Sequence, residues 1–277
     1  FKFKKKDINK ISYKDKLFRK VKYVFHLAGI GDVVPSIENP SSYMMTNVQG
    51  TINILEAARF VKAKKFVYAA SSSCYGINNN KTAEGEKIDP QYPYALSKNL
   101  GEQTALHWNK VYNLPVNSIR IFNAYGPRVR TTGAYGAVFG VFFKQKLADK
   151  PLTIIGDGNQ SRDFIYVTDV ANAFLKAATT NFQGQIYNLG NSNPKTVNKL
   201  AKLLGGKKIF IPDRPGEPRR TWANINKIRK QLKWKPVVEF EEGVKEMLKD
   251  IYLWKNAPLW TKSKIRKATK IWMKYLK

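Results

Sequence analysis

Short apolar runs alternate along the chain with longer segments of helical periodicity. The apolar runs, rich in β-branched and aromatic residues, predict strands at 23–27, 65–70, 116–122, 151–155 and 186–189. Helical periodicity predicts helices at 14–20, 40–60, 94–113 and 169–178. We also expect a short strand at 1–8 and a helix eased by glycines at 133–140. Strands and helices that alternate in this way predict an α/β fold with a parallel sheet.

The most informative stretch is 68–98, where three serines follow a strand and Tyr-Pro-Tyr-Ala-Leu-Ser-Lys opens a helix. Chemistry in parallel sheets sits at the carboxyl ends of strands. Tyr94 and Lys98 are four residues apart, so they share one helix face. A nearby ammonium favours the phenolate and lowers a tyrosine pKa from about 10. Tyr94 would then take a hydroxyl proton, with Ser71 completing the relay. The spacing alone also occurs in ordinary helix turns, but the serines upstream favour the chemical interpretation.

These residues give 68–98 a resemblance to the NAD-dependent epimerase/dehydratase group of extended short-chain dehydrogenases/reductases. The pattern is most similar to that of UDP-glucose and UDP-N-acetylglucosamine 4-epimerases. The resemblance implies a Rossmann-like doubly wound parallel sheet that binds NAD, a smaller α/β domain that binds a UDP-sugar, and a cytoplasmic homodimer. No glycine-rich strand–turn–helix precedes residue 23, so we expect an N-terminally truncated member that lacks its first βαβ unit. We expect the domains at 1–125 and 126–277, with segments around 164–190 packing back on the sheet.

The resemblance also implies roles for individual residues. Tyr94, Lys98 and Ser71 correspond to the catalytic residues. The cofactor side comprises Tyr94 and Lys98 together with Asp7, Ile8, Leu27, Ala28, Gly29, Thr46 and Phe122. Thr46 stands where the family has asparagine, which weakens that assignment. The substrate side comprises Ser72, Ser73, Asn123, Arg162, Arg214 and Glu217. Two arginines suit a diphosphate, because each guanidinium can bind its oxygens in a fork; the alternative for 214–222 is a solvated basic loop.

The residues after Ser71 separate the reactions of this family. The related 4,6-dehydratases place Asp and Glu directly after the catalytic hydroxyl residue, because eliminating water needs an acid and a base. Ser72 and Ser73 stand there and cannot fill those roles near neutrality. The resemblance therefore favours inversion at the sugar C4 through a 4-keto intermediate. A UDP-glucuronate epimerase, a dehydratase, and a catalytically silent remnant that binds anions remain alternatives.

Charge and composition indicate which kinds of partner the protein can bind. The chain has 277 residues and a net charge of +29, which attracts anions. The lysines are spread along the chain, and no zinc-ligand spacing or nucleic-acid motif is present, so we expect neither a metal nor a specific nucleic acid. The single cysteine, Cys74, suits a reducing compartment, and no apolar run reaches the roughly 18–20 residues of a transmembrane helix. The basic amphipathic tail, 260–277, predicts either docking on the body or contact with an anionic membrane.

Overall fold

The computed structural model describes residues 1–129 and 138–276. The strands are β1 (Tyr23–His26), β2 (Lys65–Ser71), β3 (Val116–Ile121), β4 (Asn123–Tyr125), β5 (Leu152–Ile155), β6 (Ser161–Arg162), β7 (Phe164–Tyr166), β8 (Gln185–Leu189), β9 (Lys195–Thr196) and β10 (Lys208–Ile211). The α-helices are α1 (Val33–Glu38), α2 (Pro40–Met44), α3 (Gly50–Phe60), α4 (Pro93–Tyr112), α5 (Val138–Leu147), α6 (Val167–Thr179), α7 (Val197–Leu204), α8 (Asn226–Leu232), α9 (Phe240–Lys249), α10 (Lys262–Ala268) and α11 (Lys270–Tyr275). Most of the predicted glycine-eased helix start lies outside the described residues.

The main sheet is parallel and has the strand order β1-β2-β3-β8. Its register pairs His26 with Tyr68 and Ser71 with Ile121, so these strands end at one edge. The prediction of an α/β fold with a parallel sheet is confirmed. The serines after β2 and the residues after β3 consequently lie side by side at the carboxyl edge.

Alternating side chains of β2 face two separate hydrophobic layers, which is why helices cover both faces of the sheet. Phe66 and Tyr68 join a cluster that includes Leu55 of α3 and Ala105 of α4. Val67 and Ala69 face the opposite side, in a cluster with residues of α6 and α8. Each fully buried Val, Leu or Phe contributes about 1.5–3 kcal/mol relative to leaving it exposed. The sheet is thus doubly wound, with α4 held rigidly beside the end of β2.

The second half of the chain builds its own aromatic core. Small sheets pair β10 with β5, β4 with β7, and β6 with β9. The rings of Tyr125 and Phe139 stack with centroids 4.8 Å apart, and those of Phe164 and Phe240 at 5.0 Å. Meanwhile α6 packs on the main sheet, and β8 is the fourth strand of that sheet. The boundary at residue 125 or 126 stays a prediction.

Three local predictions need correction. Phe1–Asp7 forms no strand, because nothing in the described chain pairs with it, and Phe1 and Phe3 are exposed. The helix expected at 14–20 is reduced to a 3-10 turn, Lys16–Phe18. The helix expected at 40–60 is interrupted by a π-helical turn, Met45–Gln49, between α2 and α3.

The tail docks on the body through α10 and α11, as one of the two sequence alternatives predicts. Ile265 is 5% exposed and Trp272 only 1% exposed, and Trp272 clusters with Val34 of α1. The described lysines of the tail are exposed: Lys262, Lys264, Lys267, Lys270 and Lys274. Membrane contact by the tail stays a prediction. Within residues 1–129 and 138–276, no helix has the length and apolarity to cross a bilayer.

Candidate active site

A cavity of about 430 Å³ lies at the carboxyl edge of the main sheet. Its walls come from the end of β2, the start of α4, the residues after β3, the loop after β10 and the C-terminal tail. The predicted site residues among its lining are Ser71, Ser72, Ser73, Tyr94, Phe122, Asn123, Arg162, Arg214 and Glu217. The fold therefore gathers into one cavity the predicted substrate residues and part of the predicted catalytic set.

Tyr94 stands in the first turn of α4, where Pro93 occupies a position that needs no backbone N–H donor. Its side chain is hydrogen-bonded to Ser71 at the end of β2. Burial raises the pKa of Tyr94; the Ser71 hydrogen bond opposes that shift, and the negative charge of Asp32 adds to it. The direction is opposite to the lowering expected from the sequence, because burial outweighs the hydrogen bond in the ligand-free fold. Tyr94 is therefore a neutral phenol until a ligand changes its surroundings.

Lys98 lies one turn further along the same face of α4 and is 8% exposed. Its Nζ lies 4.6 Å from the centroid of the Tyr68 ring, in a cation–π contact. Burial lowers the pKa of Lys98 to about 8, while the carboxylate of Glu102 works in the opposite direction. Near pH 8, Lys98 therefore changes between its charged and its neutral form.

A buried polar network fixes the far side of α4. Glu102 accepts three hydrogen bonds from Arg120 of β3, two from Nε and one from Nη2, and their ion pair measures 2.6 Å. Arg120 Nη1 donates to the Tyr75 hydroxyl at 2.7 Å, and that hydroxyl donates to Asn188 Oδ1 at 2.7 Å. Because these groups are satisfied by one another, they hold α4, β3 and β8 in one arrangement.

The end of β1 approaches Lys98 through small residues. A Cβ on Gly29 would lie 2.9 Å from Asn47 Oδ1 and 3.9 Å from Lys98 Nζ. Asn47, predicted to be structural, accepts from Ile30 N at 2.8 Å and donates to Ile30 O at 3.0 Å. Leu27 and Ala28 are exposed next to it. A flat ring can therefore approach this backbone beside Lys98, which fits the nicotinamide half of NAD.

Seven of the predicted cofactor residues do not line this cavity: Asp7, Ile8, Leu27, Ala28, Gly29, Thr46 and Lys98. Asp7, Ile8 and Thr46 have other contacts. The Asp7 carboxylate accepts from Asn9 N and caps a 3-10 turn. Ile8 packs beside Gly50 of α3. Thr46 accepts a 3.4 Å hydrogen bond from Asn9 Nδ2. Their contact with a cofactor stays a prediction.

The cavity wall also carries two arginines, which can attract an anion. Arg162 and Arg214 each donate to the Glu217 carboxylate, both at 3.2 Å. These three groups carry one net positive charge and lie in the cavity wall. Asn123 Oδ1 accepts from Thr221 Oγ1 at 2.9 Å in the same wall. Arg219 instead pairs with Asp157 at the surface, outside the cavity lining.

Several cavity residues escape sequence reasoning. Asp32, Tyr92 and Gln160 line the cavity, and so do Ile265 and Trp272 of the tail. Tyr92 stands two residues before Tyr94 in the same motif, which is a signal that could have revealed it. Trp272 carries no such local signal, because only the tertiary fold brings the tail to the cavity.

The comparisons agree on one family. The family model described as "NAD dependent epimerase/dehydratase family" matches residues 2–190. The UDP-glucuronate 4-epimerase of Thermodesulfobacterium geofontis is 34% identical over 255 residues, covering 88% of this chain and 77% of that protein. The crystal structure of UDP-glucuronic acid 4-epimerase from Bacillus cereus, in complex with UDP-glucuronic acid and NAD, matches with TM-score 0.83 and 32% identity over 90% of this chain and 80% of that chain. UDP-glucose 4-epimerase from Thermotoga maritima, with UDP-glucose, matches with TM-score 0.79 and 32% identity over 86% and 78% of the respective chains.

Proposed function

Because the chain belongs to the NAD dependent epimerase/dehydratase family, we propose that it is a UDP-sugar 4-epimerase that uses NAD. The observation that carries the proposal is that Tyr94 and Ser71 line one cavity together with Arg162 and Arg214. The relatives named above are UDP-sugar 4-epimerases, which supports the same reaction.

The arginines orient the substrate. Arg162 and Arg214 bind the diphosphate, since guanidinium groups match its oxygens in charge and geometry. Glu217 bridges the two arginines. When the diphosphate takes over the arginine donors, the Glu217 carboxylate accepts from a ribose hydroxyl. The sugar then extends towards Ser71 and Tyr94, which line the cavity with Phe122 and Asn123.

The proton is handled by Tyr94 and Ser71. Tyr94 removes the proton of the 4-hydroxyl, and the Ser71 hydroxyl stabilises the phenolate by donating to it. Lys98 adds positive charge beside the end of β1 and favours the ionised phenol. NAD supplies the redox step, accepting the C4 hydrogen with its electron pair and returning it to the other face of the 4-keto sugar. Protonation by Tyr94 then restores a hydroxyl of inverted configuration.

The residues after Ser71 argue against dehydration. Ser72 and Ser73 line the cavity where an acid and a base would be needed to eliminate water. Ser73 Oγ is 2.8 Å from Ser71 Oγ, so this hydroxyl supports the relay instead. Simple inversion at C4 is the reaction that these side chains can serve.

The test is product analysis with the purified protein, NAD and single UDP-sugars. We expect nuclear magnetic resonance to show the C4 epimer of UDP-glucose, UDP-N-acetylglucosamine or UDP-glucuronate. A 4-keto-6-deoxy sugar would indicate a dehydratase instead. Absence of any product, together with DNA binding that moderate salt abolishes, would favour the basic anion-binding alternative.

We also propose a cytoplasmic homodimer. The exposed apolar residues Val111 and Tyr112 at the end of α4, with Phe60 at the end of α3, favour a second copy on that surface. Sedimentation at micromolar concentration distinguishes a dimer from a monomer.

A further inference from the structure

We propose that Trp272 is a positioning residue of the reaction: from the C-terminal tail it braces Tyr92 against the Ser73–Ser71–Tyr94 relay and closes the sugar end of the cavity. The proposal rests on the proposed function, which supplies the sugar and the reaction.

Trp272 bridges two walls of the cavity. Its ring is 1% exposed and packs with Val34 of α1, on the cofactor side. Its Nε1 donates at 2.6 Å to the carbonyl oxygen of Pro215, in the loop that carries Arg214 and Glu217. One side chain therefore ties the wall beside α1 to the wall that binds the anion.

Tyr92 connects Trp272 to the catalytic tyrosine. Its ring centroid lies 6.0 Å from that of Trp272 and 6.4 Å from that of Tyr94, and the two tyrosine rings are nearly parallel, at 6°. Its side chain is hydrogen-bonded to Ser73. Burial raises the pKa of Tyr92, so this phenol stays neutral and serves as a hydrogen-bond partner.

The hydrogen bonds continue to the reacting group. Ser73 Oγ is 2.8 Å from Ser71 Oγ, and Ser71 is hydrogen-bonded to Tyr94. The Tyr92 ring also stacks directly on the Tyr94 ring. Displacing Tyr92 would therefore disturb the Tyr94 oxygen through two routes, the serine hydroxyls and the stacked ring.

The tail is shaped for this role. Among its described residues, Ile265, Thr269 and Trp272 are buried, and Ile265 and Trp272 line the cavity. The charged residues between Lys262 and Lys274 face solvent. Two apolar side chains at the sugar end keep water from the reacting carbon, and misplacing a reacting group by about 1 Å can lower the rate about 100-fold.

The experiment compares variants of the complete protein with NAD. Trp272→Ala removes the brace and Trp272→Phe keeps a ring against Tyr92. Tyr92→Phe keeps the ring stack but removes the Ser73 hydrogen bond. Tyr275→Ala, at a tail residue that is 59% exposed, and Trp254→Phe, at a buried tryptophan of the other core, are the controls. For each variant kcat, KM, the unfolding temperature and the Kd values of UDP and UDP-glucose are measured.

We expect Trp272→Ala to lower kcat about 10–100-fold. It should also raise the Kd of UDP-glucose by a larger factor than the Kd of UDP. UDP meets only the loop that the Trp272–Pro215 hydrogen bond steadies, whereas the sugar also loses the ring that lines the cavity. Trp272→Phe should recover most of kcat, and both controls should retain it. Trp272→Ala and Tyr92→Phe should be non-additive in kcat, since they act on one relay.

The proposal is overturned if Trp272→Ala lowers the unfolding temperature but keeps kcat and the preference for UDP-glucose over UDP. If Trp272→Ala does not fold, Tyr92→Phe decides: a kcat equal to that of the parent contradicts the brace. If the parent protein binds UDP-glucose without epimerising it, the proposed function fails. The ratio of the Kd of UDP-glucose to the Kd of UDP then still tests whether Trp272 forms part of the wall that contacts the sugar. A ratio that Trp272→Ala leaves unchanged contradicts that role.

Discussion

Removing Arg162 tests how the cavity holds a nucleotide sugar. In the parent protein Arg162 and Arg214 share the Glu217 carboxylate, so two positive charges and one negative charge leave one net positive charge. In Arg162→Ala, Glu217 pairs with Arg214 alone and this part of the wall becomes neutral. The variant therefore loses both a donor fork and the local charge that attracts the diphosphate.

The magnitude follows from the strength of the hydrogen bonds that Arg162 donates to the diphosphate. A hydrogen bond to a charged group contributes about 1.5–3 kcal/mol. Since about 1.4 kcal/mol is a factor of ten, the Kd of UDP should rise about 10–150-fold. The Kd of Arg162→Lys for UDP should lie between those of the parent and of Arg162→Ala, because the ammonium restores the charge but cannot form the fork.

The assay is calorimetric titration with UDP at about 0.15 M salt, which screens distant surface charges. Arg219→Ala is the matched control: it removes the same charge from an exposed arginine that pairs with Asp157. We expect its Kd for UDP to stay within about 2-fold of the parent. Equal affinities of Arg162→Ala and Arg219→Ala would refute the assignment of Arg162 to the diphosphate.

Three further outcomes are expected from the same structure. Arg120→Met leaves Glu102 buried without its ion-pair partner and should cost about 3–5 kcal/mol in urea unfolding; a loss below about 1 kcal/mol contradicts the buried network. Gly76→Ala should cost at least about 1–2 kcal/mol in the same assay, because Gly76 has φ +64° and a Cβ there would overlap the Asp89 carbonyl; unchanged stability contradicts that strain. Burial lowers the pKa of Lys98 from 10.5 to about 8, so between these pH values the unfolded chain binds the extra proton and the parent gains stability as pH rises. The stability advantage of Lys98→Met over the parent should therefore shrink from pH 7 to pH 10, and a constant difference contradicts the depressed pKa.

The sequence predicts those features of the fold and of the site that depend on the order of residues within a short segment. The strands at β2, β3 and β8 carry dense apolar runs, and the motif from Ser71 to Lys98 specifies both the family and the strand-end cavity. The family resemblance is confirmed by the match to residues 2–190. The bounds of α4 follow from two prolines: Pro93 opens the helix, and Pro115 comes shortly after its end.

The sequence does not predict what depends on distant packing. Alternating Phe and Lys at the start resemble a strand, but no neighbouring strand pairs with them. Tyr94 and Lys98 do share a face, yet burial raises the pKa of Tyr94, an effect that spacing cannot supply. Trp272 reaches the cavity only because the tail folds back, 178 residues after Tyr94 by the difference of their numbers.

Tyr94→Phe tests the central claim most directly. Phenylalanine keeps the ring against Tyr92 but removes the oxygen bonded to Ser71. With NAD and a UDP-sugar substrate of the parent, we expect C4 inversion to fall by at least about 100-fold, within the range for loss of a general base. The Kd of the UDP-sugar, set by the arginine wall, should stay within about 3-fold of the parent, roughly 0.6 kcal/mol. Turnover at the parent rate by Tyr94→Phe would contradict the account.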